Sequence, residues 1–160
     1  MPERPPERAG RPARNQERGR ACGLDLGKAR VGVAISDELG MYAHPRGVIS
    51  GKNQPELIRA LCTLAEDEQL EHFIIGLPLD MKGGEGDSAR RTRELAQRIA
   101  NATGVEVELW DERLTTVEAR RNLAASEVHG KKAKAHIDEA SAVVLLQAWL
   151  DQRERPRERR

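Results

Sequence analysis

Apolar and polar residues alternate along this 160-residue chain with two different periods, and the switches between them mark its elements. Residues 20–26 (RACGLDL) and 30–36 (RVGVAIS) are short apolar runs separated by a turn containing Gly27, which predicts a β-hairpin. Residues 41–49 read as a weaker third strand. Over 53–68, Leu57, Ile58, Leu61, Leu64 and Ala65 recur at helical spacing, with Pro55 near the start, where its missing N–H costs least. The wholly apolar HFIIGL (72–77) predicts a central parallel strand, covered on both faces. A loop over 78–86 leads to a helix over 87–103, with Leu95, Ala96, Ile99 and Ala100 inward and Gly104 at its end. Strict alternation in VEVELW (105–110) predicts another strand. Thr115 and Glu118 form a capping box that opens a helix to about residue 125. After a polar, lysine-rich link, residues 137–150 predict a final helix, apolar on most faces and packed inside.

The order β-β-β-α-β-α-β-α-α describes an α/β domain: a mixed five-stranded sheet with helices on both faces. The domain is expected over 20–150, between two tails. Residues 1–19 hold four prolines and almost no apolar side chains, and 151–160 read DQRERPRERR. Neither tail can offset its ordering entropy, so both are expected to be disordered.

Composition narrows the function classes. Aromatics make up only 2% of the chain, so the core must be aliphatic. No run approaches the roughly 18 apolar residues of a membrane span. Pro and Arg occupy the N-terminus where a secretory signal needs an apolar stretch, so a cytoplasmic protein is expected, with no membrane partner. Cys22 and Cys62 have no CxxC spacing, which excludes a disulfide scaffold or a cysteine zinc site, and both read as buried thiols. The net charge of +1 hides a split. Residues 1–20 carry a net +3 and 151–160 a net +2, leaving a mildly acidic body near −4. Any nucleic-acid binding would rest on local basic patches.

Acidic residues supply the candidate chemistry. In the first strand Gly23, Asp25 and Gly27 share one face while Leu24 and Leu26 take the other. A carboxylate there needs a partner or a metal, and the flanking glycines are expected to leave open space above it. Asp111 and Glu112 directly follow VEVELW, at the carboxyl end of a strand where α/β sheets bind ligands. Adjacent acids point to opposite faces, so one of the two faces Asp25. Asp111, in phase with Val105, Val107 and Leu109, is slightly preferred, although that phase does not say which face holds the site. Asp138 and Glu139 fall in the first turn of the predicted final helix, where the helix dipole also favours an acid. Oxygen ligands suit Mg²⁺ or Mn²⁺, and two such ions about 4 Å apart can hydrolyse a phosphodiester. Distant acids converging from strand and helix ends could supply that cage. His44, His72, His129 and His136 form no HxxxH or HExxH pattern, and no GxSxG occurs.

Two segments could meet phosphates, although each also reads as an ordinary solvated surface. GGEG (83–86), with Gly84 and Gly86, runs into a helix start whose free amides favour anions. Arg90, with Arg91, Arg93 and Arg98, gives that helix a basic face. The link over 128–136 carries His129, Lys131, Lys132, Lys134 and His136, read as a mobile basic loop before Asp138.

Four stretches in series, GLDLGKARVG (23–32), IIGLPL (74–79), DERLTTVEAR (111–120) and DEASA (138–142), resemble the YqgF/RuvX family. These are Holliday junction resolvase-like proteins, also described as pre-16S rRNA nucleases. The resemblance spans about residues 20–150 and implies an RNase H-like fold. It implies catalytic acids at Asp25, within Asp111 and Glu112, and at Asp138, with metal held by Asp25, Asp111 and Asp138. Lys28 and Arg30 in the first motif, Arg113, and the 83–86 loop become substrate-side positions. The implied activity is trimming of the 5′ end of the 16S rRNA precursor, with resolution of DNA junctions as the rival and a non-catalytic RNA-binding module as a third reading. Nucleic acid is the expected partner, bound by a monomer or homodimer.

Overall fold

The computed structural model describes residues 19–27, 29–79, 84–114 and 131–154, excluding the side chains of residues 114, 131–137 and 154. Among the described residues the order is β1 (Ala21–Leu26), β2 (Arg30–Ser36), β3 (Ala43–Ser50), α1 (Gln54–Asp67), β4 (His72–Leu77), α2 (Asp87–Thr103) and β5 (Glu106–Asp111). A 3-10 turn (Glu112–Leu114) follows β5, and α3 (Lys131–Glu154) comes last. The five strands form one sheet in the order β3-β2-β1-β4-β5. β1, β2 and β3 pair antiparallel, whereas β1, β4 and β5 run parallel, so the sheet is mixed as expected.

Local chemistry explains most boundaries. The Gly27 N–H donates to the Arg30 carbonyl at 2.8 Å and closes the β1–β2 turn. Asn53 caps α1, its side chain accepting from the Glu56 N–H at 3.1 Å. Leu57, Leu61 and Ala65 then bury one stripe of that helix. Gly104 ends α2 in the left-handed region at φ 67°, its N–H donating to the Ala100 carbonyl. β3 starts at Ala43 rather than residue 41, because Asp37 organises the preceding turn. The Asp37 carboxylate accepts from the Met41 N–H at 2.8 Å, and its own N–H donates to the Tyr42 carbonyl at 3.0 Å.

Each face of the sheet buries its own core. Cys22, Leu24, Val33, Phe73 and Ile75 join Leu57, Leu61, Ala96 and Ile99 beneath α1 and α2. Ala21, Ala34 and Ile74 join Ala142, Leu145, Leu146, Trp149 and Leu150 beneath α3. Full burial of each large aliphatic side chain contributes about 1.5–3 kcal/mol. α3 therefore buries one stripe, with Val143, Val144, Gln147 and Ala148 half-buried, rather than being enclosed on most faces.

Side chains fasten α3 at both flanks of the sheet. On the β3 side, Glu139 accepts from the Gly47 N–H at 3.1 Å and Gln147 from the Ala43 N–H at 2.9 Å. On the β5 side, the Trp149 indole N–H donates to Glu108 at 2.8 Å, its ring meets His72, and Arg153 lies over it.

Two expectations change. α3 starts at Lys131, so the part of the basic link from Lys131 to His136 is helix rather than loop. Lys and Ala favour helix without an apolar stripe to announce it. The helix also continues through Glu154, into the stretch expected to be a disordered tail. The predicted helix over 115–125 and the tail residues 1–18 and 155–160 lie outside the described residues. Among the described residues, no helix is long and apolar enough to cross a membrane.

Candidate active site

One row of residues crosses the sheet at the carboxyl end of β1. Asp25 pairs with Gly32 of β2. On the other side Leu24 pairs with Ile75, and extending that register by one residue sets Asp25 beside Gly76 of β4. Gly76 in turn pairs with Trp110 of β5. Directly paired residues project to the same face, so Asp25 stands between two glycines on the α3 side.

The glycines matter because something else occupies their side-chain space. A Cβ on Gly32 would lie 2.0 Å from the Asp138 carbonyl oxygen, so α3 rests its backbone on β2 at Asp138. A Cβ on Gly76 would lie 2.7 Å from a Glu112 carboxylate oxygen. Asp25 is thus flanked by Asp138 on one side and Glu112 on the other. The space beside Gly23, expected to be open for a ligand, is instead filled by Leu146 and the Ala142 carbonyl of α3.

The phase of β5 separates Asp111 from Glu112. Val107 and Leu109 pack on the α1–α2 core, whereas Trp110 packs on the α3 core. Asp111, the last strand residue, follows the first set and faces away from Asp25. Its carboxylate accepts from the Arg113 backbone N–H at 3.0 Å, from Nε at 3.0 and 3.1 Å, and from Nη2 at 2.7 Å. These hydrogen bonds hold the Asp111 carboxyl below the usual carboxylate range. The preference for Asp111 over Glu112 as the acid facing Asp25 is therefore reversed, because the α3 side of the sheet carries Asp25.

The other candidates disperse. Arg30 is partly buried at the start of β2. Gly84 and Gly86 precede α2, and Gly86 is its N-cap without a side-chain hydrogen bond. The expected basic face of α2 is largely engaged locally: Arg90 pairs with Asp87, Arg93 with Glu85, and Arg98 bonds Gln54. Arg91 is exposed. Lys132 and Lys134 belong to the first turn of α3, N-terminal to Asp138 in the chain. Their side chains and Lys28 lie outside the described residues. A cavity of about 370 Å³ opens at the opposite end of the sheet, where Glu68 bridges Arg20 and Arg46.

Sequence reading missed Gly32, Gly76 and Trp110. The Trp110 indole nitrogen is buried and has no hydrogen-bond partner among the described residues. Gly32 and Gly76 lay inside the quoted motifs, but only sheet register shows that both flank Asp25.

The arrangement offers oxygen donors alone, which suits hard divalent ions. Among the described residues no three of His, Cys, Asp or Glu already stand at metal-holding distance from one another. Asp25, Glu112 and Asp138 therefore fit a cation by position and donor type, with side-chain adjustment needed to close around it.

Comparison with known proteins agrees with this topology. The family model described as RuvX, Holliday junction resolvase, matches residues 19–152. A Myxococcus xanthus relative provisionally named a pre-16S rRNA nuclease is 42% identical over 132 residues, covering 82% of this chain and 87% of its own. One of the same name from Mycobacterium tuberculosis is 41% identical over 151 residues, covering 94% and 89%. Among solved structures, Thermus thermophilus RuvC with a Holliday junction substrate superposes with a TM-score of 0.54 at 14% identity, covering 84% and 95%. That likeness establishes the fold, an RNase H-like one shared with the resolvases. With a family model spanning nearly the whole described domain and relatives above 40% identity, the chain belongs to the RuvX family and to its class of phosphodiester-cleaving hydrolases.

Proposed function

We propose that this protein is a divalent-metal-dependent nuclease that trims the 5′ end of the 16S rRNA precursor in the cytoplasm, acting as a monomer or homodimer. The observation that carries the reading is the row Gly32–Asp25–Gly76, with Asp138 and Glu112 over its two glycines. The names of the curated relatives supply the substrate.

Asp25, Glu112 and Asp138 would hold Mg²⁺ or Mn²⁺, in the two-ion arrangement expected from the carboxylates. Bound there, the ions would activate water and neutralise charge on the cleaved phosphodiester. Asp25 is the fixed member, set in a central strand by ladders on both sides. Glu112 and Asp138 approach from the turn after β5 and from α3. Substrate phosphates have a second contact at the α2 N-terminus, which follows Gly84 and whose N-cap Gly86 has open space where a Cβ would stand. Lys28, Arg30, Arg113, Lys132 and Lys134 are the further substrate-side cations of this reading, and Arg90 contributes less because Asp87 already pairs with it.

Digestion of precursor rRNA and of four-way DNA junctions, each with and without Mn²⁺, tests the proposal. The expected result is metal-dependent cleavage at the 16S 5′ boundary, abolished in Asp25→Asn with the fold retained. Full cleavage by that variant refutes the role of Asp25. Symmetric nicks in the junction alone would favour the second reading, a DNA resolvase, which the family description supports. RNA binding without cleavage in any metal would leave a binding module.

A further inference from the structure

Asp111 is the one candidate acid whose position conflicts with a place among the metal ligands. It ends β5 on the side of the sheet facing α1 and α2, while Asp25 and Glu112 lie on the α3 side. Its carboxylate is nevertheless fully engaged. One oxygen accepts from the Arg113 backbone N–H, forming a short loop that caps the 3-10 turn Glu112–Leu114. Both oxygens accept from the Arg113 guanidinium, a fork-to-fork arrangement that fixes the plane of the cation. Between the two residues so joined sits Glu112, the acid over Gly76. The turn that Asp111 caps is therefore the turn that aims Glu112.

We propose that Asp111 is a positioning residue, not a metal ligand: it fixes the turn that presents Glu112 and holds Arg113, at the end of β5, as a clamp for a substrate phosphate. This deepens the nuclease reading and rests on it. Arg113 is suited to the role, since its side chain is 44% exposed and its planar cation is oriented before substrate arrives. Arg carries five N–H donors in a planar fork, a geometry that can hold a carboxylate and a phosphate together. The acid in turn makes the clamp rigid, which lowers the entropy lost on binding.

The test separates a ligand from a positioner by the sign of an effect measured without metal. Binding of a fluorescein-labelled RNA spanning the 16S 5′ boundary is followed by anisotropy in EDTA for wild type, Asp111→Asn, Asp111→Ala, Arg113→Ala and the Asp111→Asn/Arg113→Ala double variant. A ligand removed from an acidic site would leave RNA binding unchanged or tighter. The positioning role predicts weaker binding in each Asp111 variant, about 3- to 10-fold, and a double variant no weaker than Arg113→Ala alone. The salt dependence of binding should fall by about one phosphate contact in Arg113→Ala.

Cleavage kinetics supply a second readout. Asp111→Asn keeps an oxygen for the Arg113 N–H, so it should raise KM with little change in kcat and no change in the half-saturating Mn²⁺ concentration. Asp111→Ala loses the turn as well and should lower kcat. A tenfold or greater rise in the Mn²⁺ requirement of Asp111→Asn would overturn the proposal, as would additive losses in the double variant or a wild type that binds no RNA in EDTA. Retained cleavage in Asp25→Asn would sink the nuclease reading instead, and the binding arm would still decide Asp111.

Discussion

The carbonyl oxygen of Asp138 stands 2.0 Å from where a Cβ on Gly32 would be, so helix α3 touches strand β2 backbone to backbone at this point. Only glycine permits that approach. The contact sets how far a candidate acid on α3 lies from Asp25, the ladder partner of Gly32.

Gly32→Ala is therefore expected to push α3 off the sheet. Neither the Asp138 carbonyl oxygen nor its carbon, 2.3 Å from the added methyl, can swing aside as a side chain would. The overpacking should cost about 1–3 kcal/mol, seen as a fall of several degrees in Tm. Cleavage should drop by about 100-fold or more, since displacement by an ångström disrupts a reacting geometry. Gly51→Ala, where a Cβ meets only ordinary contacts of 3.5 Å or more, serves as the control and should leave Tm nearly unchanged.

Gly76→Ala should behave differently. The atoms nearest its added methyl belong to the Glu112 side chain, which can rotate away. Thermal stability should change by less than about 1 kcal/mol, because alanine is also easier to order than glycine. Cleavage should still fall by about 100-fold as the carboxylate leaves its place. Equal activity in the variant and wild type would remove Glu112 from the catalytic set.

Cys22 should give the protein an alkaline weakness. Burial, and next the charge of Glu68, push its thiol well above the ordinary range. Its folded pKa thus exceeds the unfolded one, so its contribution to stability is intact below about pH 8.5 and declines as pH rises further. The slope should approach about 1.4 kcal/mol per pH unit. Urea unfolding from pH 7 to 10 should show it in wild type, and Cys22→Ala should lack that component. Thiol reagents should label Cys62, which is partly exposed, and spare Cys22 until denaturant is added.

Trp149→Phe keeps a ring against His72 but removes the indole N–H that reaches Glu108. Loss of that bond should cost about 1 kcal/mol. Chemical unfolding of Trp149→Phe, Glu108→Gln and the double variant would check this, with non-additive losses expected for a direct contact.

Much of the fold was legible because its elements carry clear periods. HFIIGL and RVGVAIS are found as strands with the expected bounds, and α2 likewise matches its expected range. The start of α3 was not legible, since KKAKAH carries helix propensity but no apolar stripe. At the site, Asp25 and Asp138 stood out as acids in odd or capped positions. The choice between Asp111 and Glu112 could not be made from alternation, because helices cover both faces of the sheet and either phase of β5 meets a core. Gly76 decides it, and its part depends on a register between strand partners 51 residues apart.

The fastening of α3 at both flanks carries a consequence for how the candidate centre comes into being. Residues 25 and 138 are separated by most of the chain, and the ties that seat the helix involve Glu139, Gln147 and Trp149. No fragment that stops short of α3 holds all three acids. On the proposed reading, a nascent chain that has not yet packed its last turns would be unarmed, and cutting power would arrive only with the completed tertiary structure.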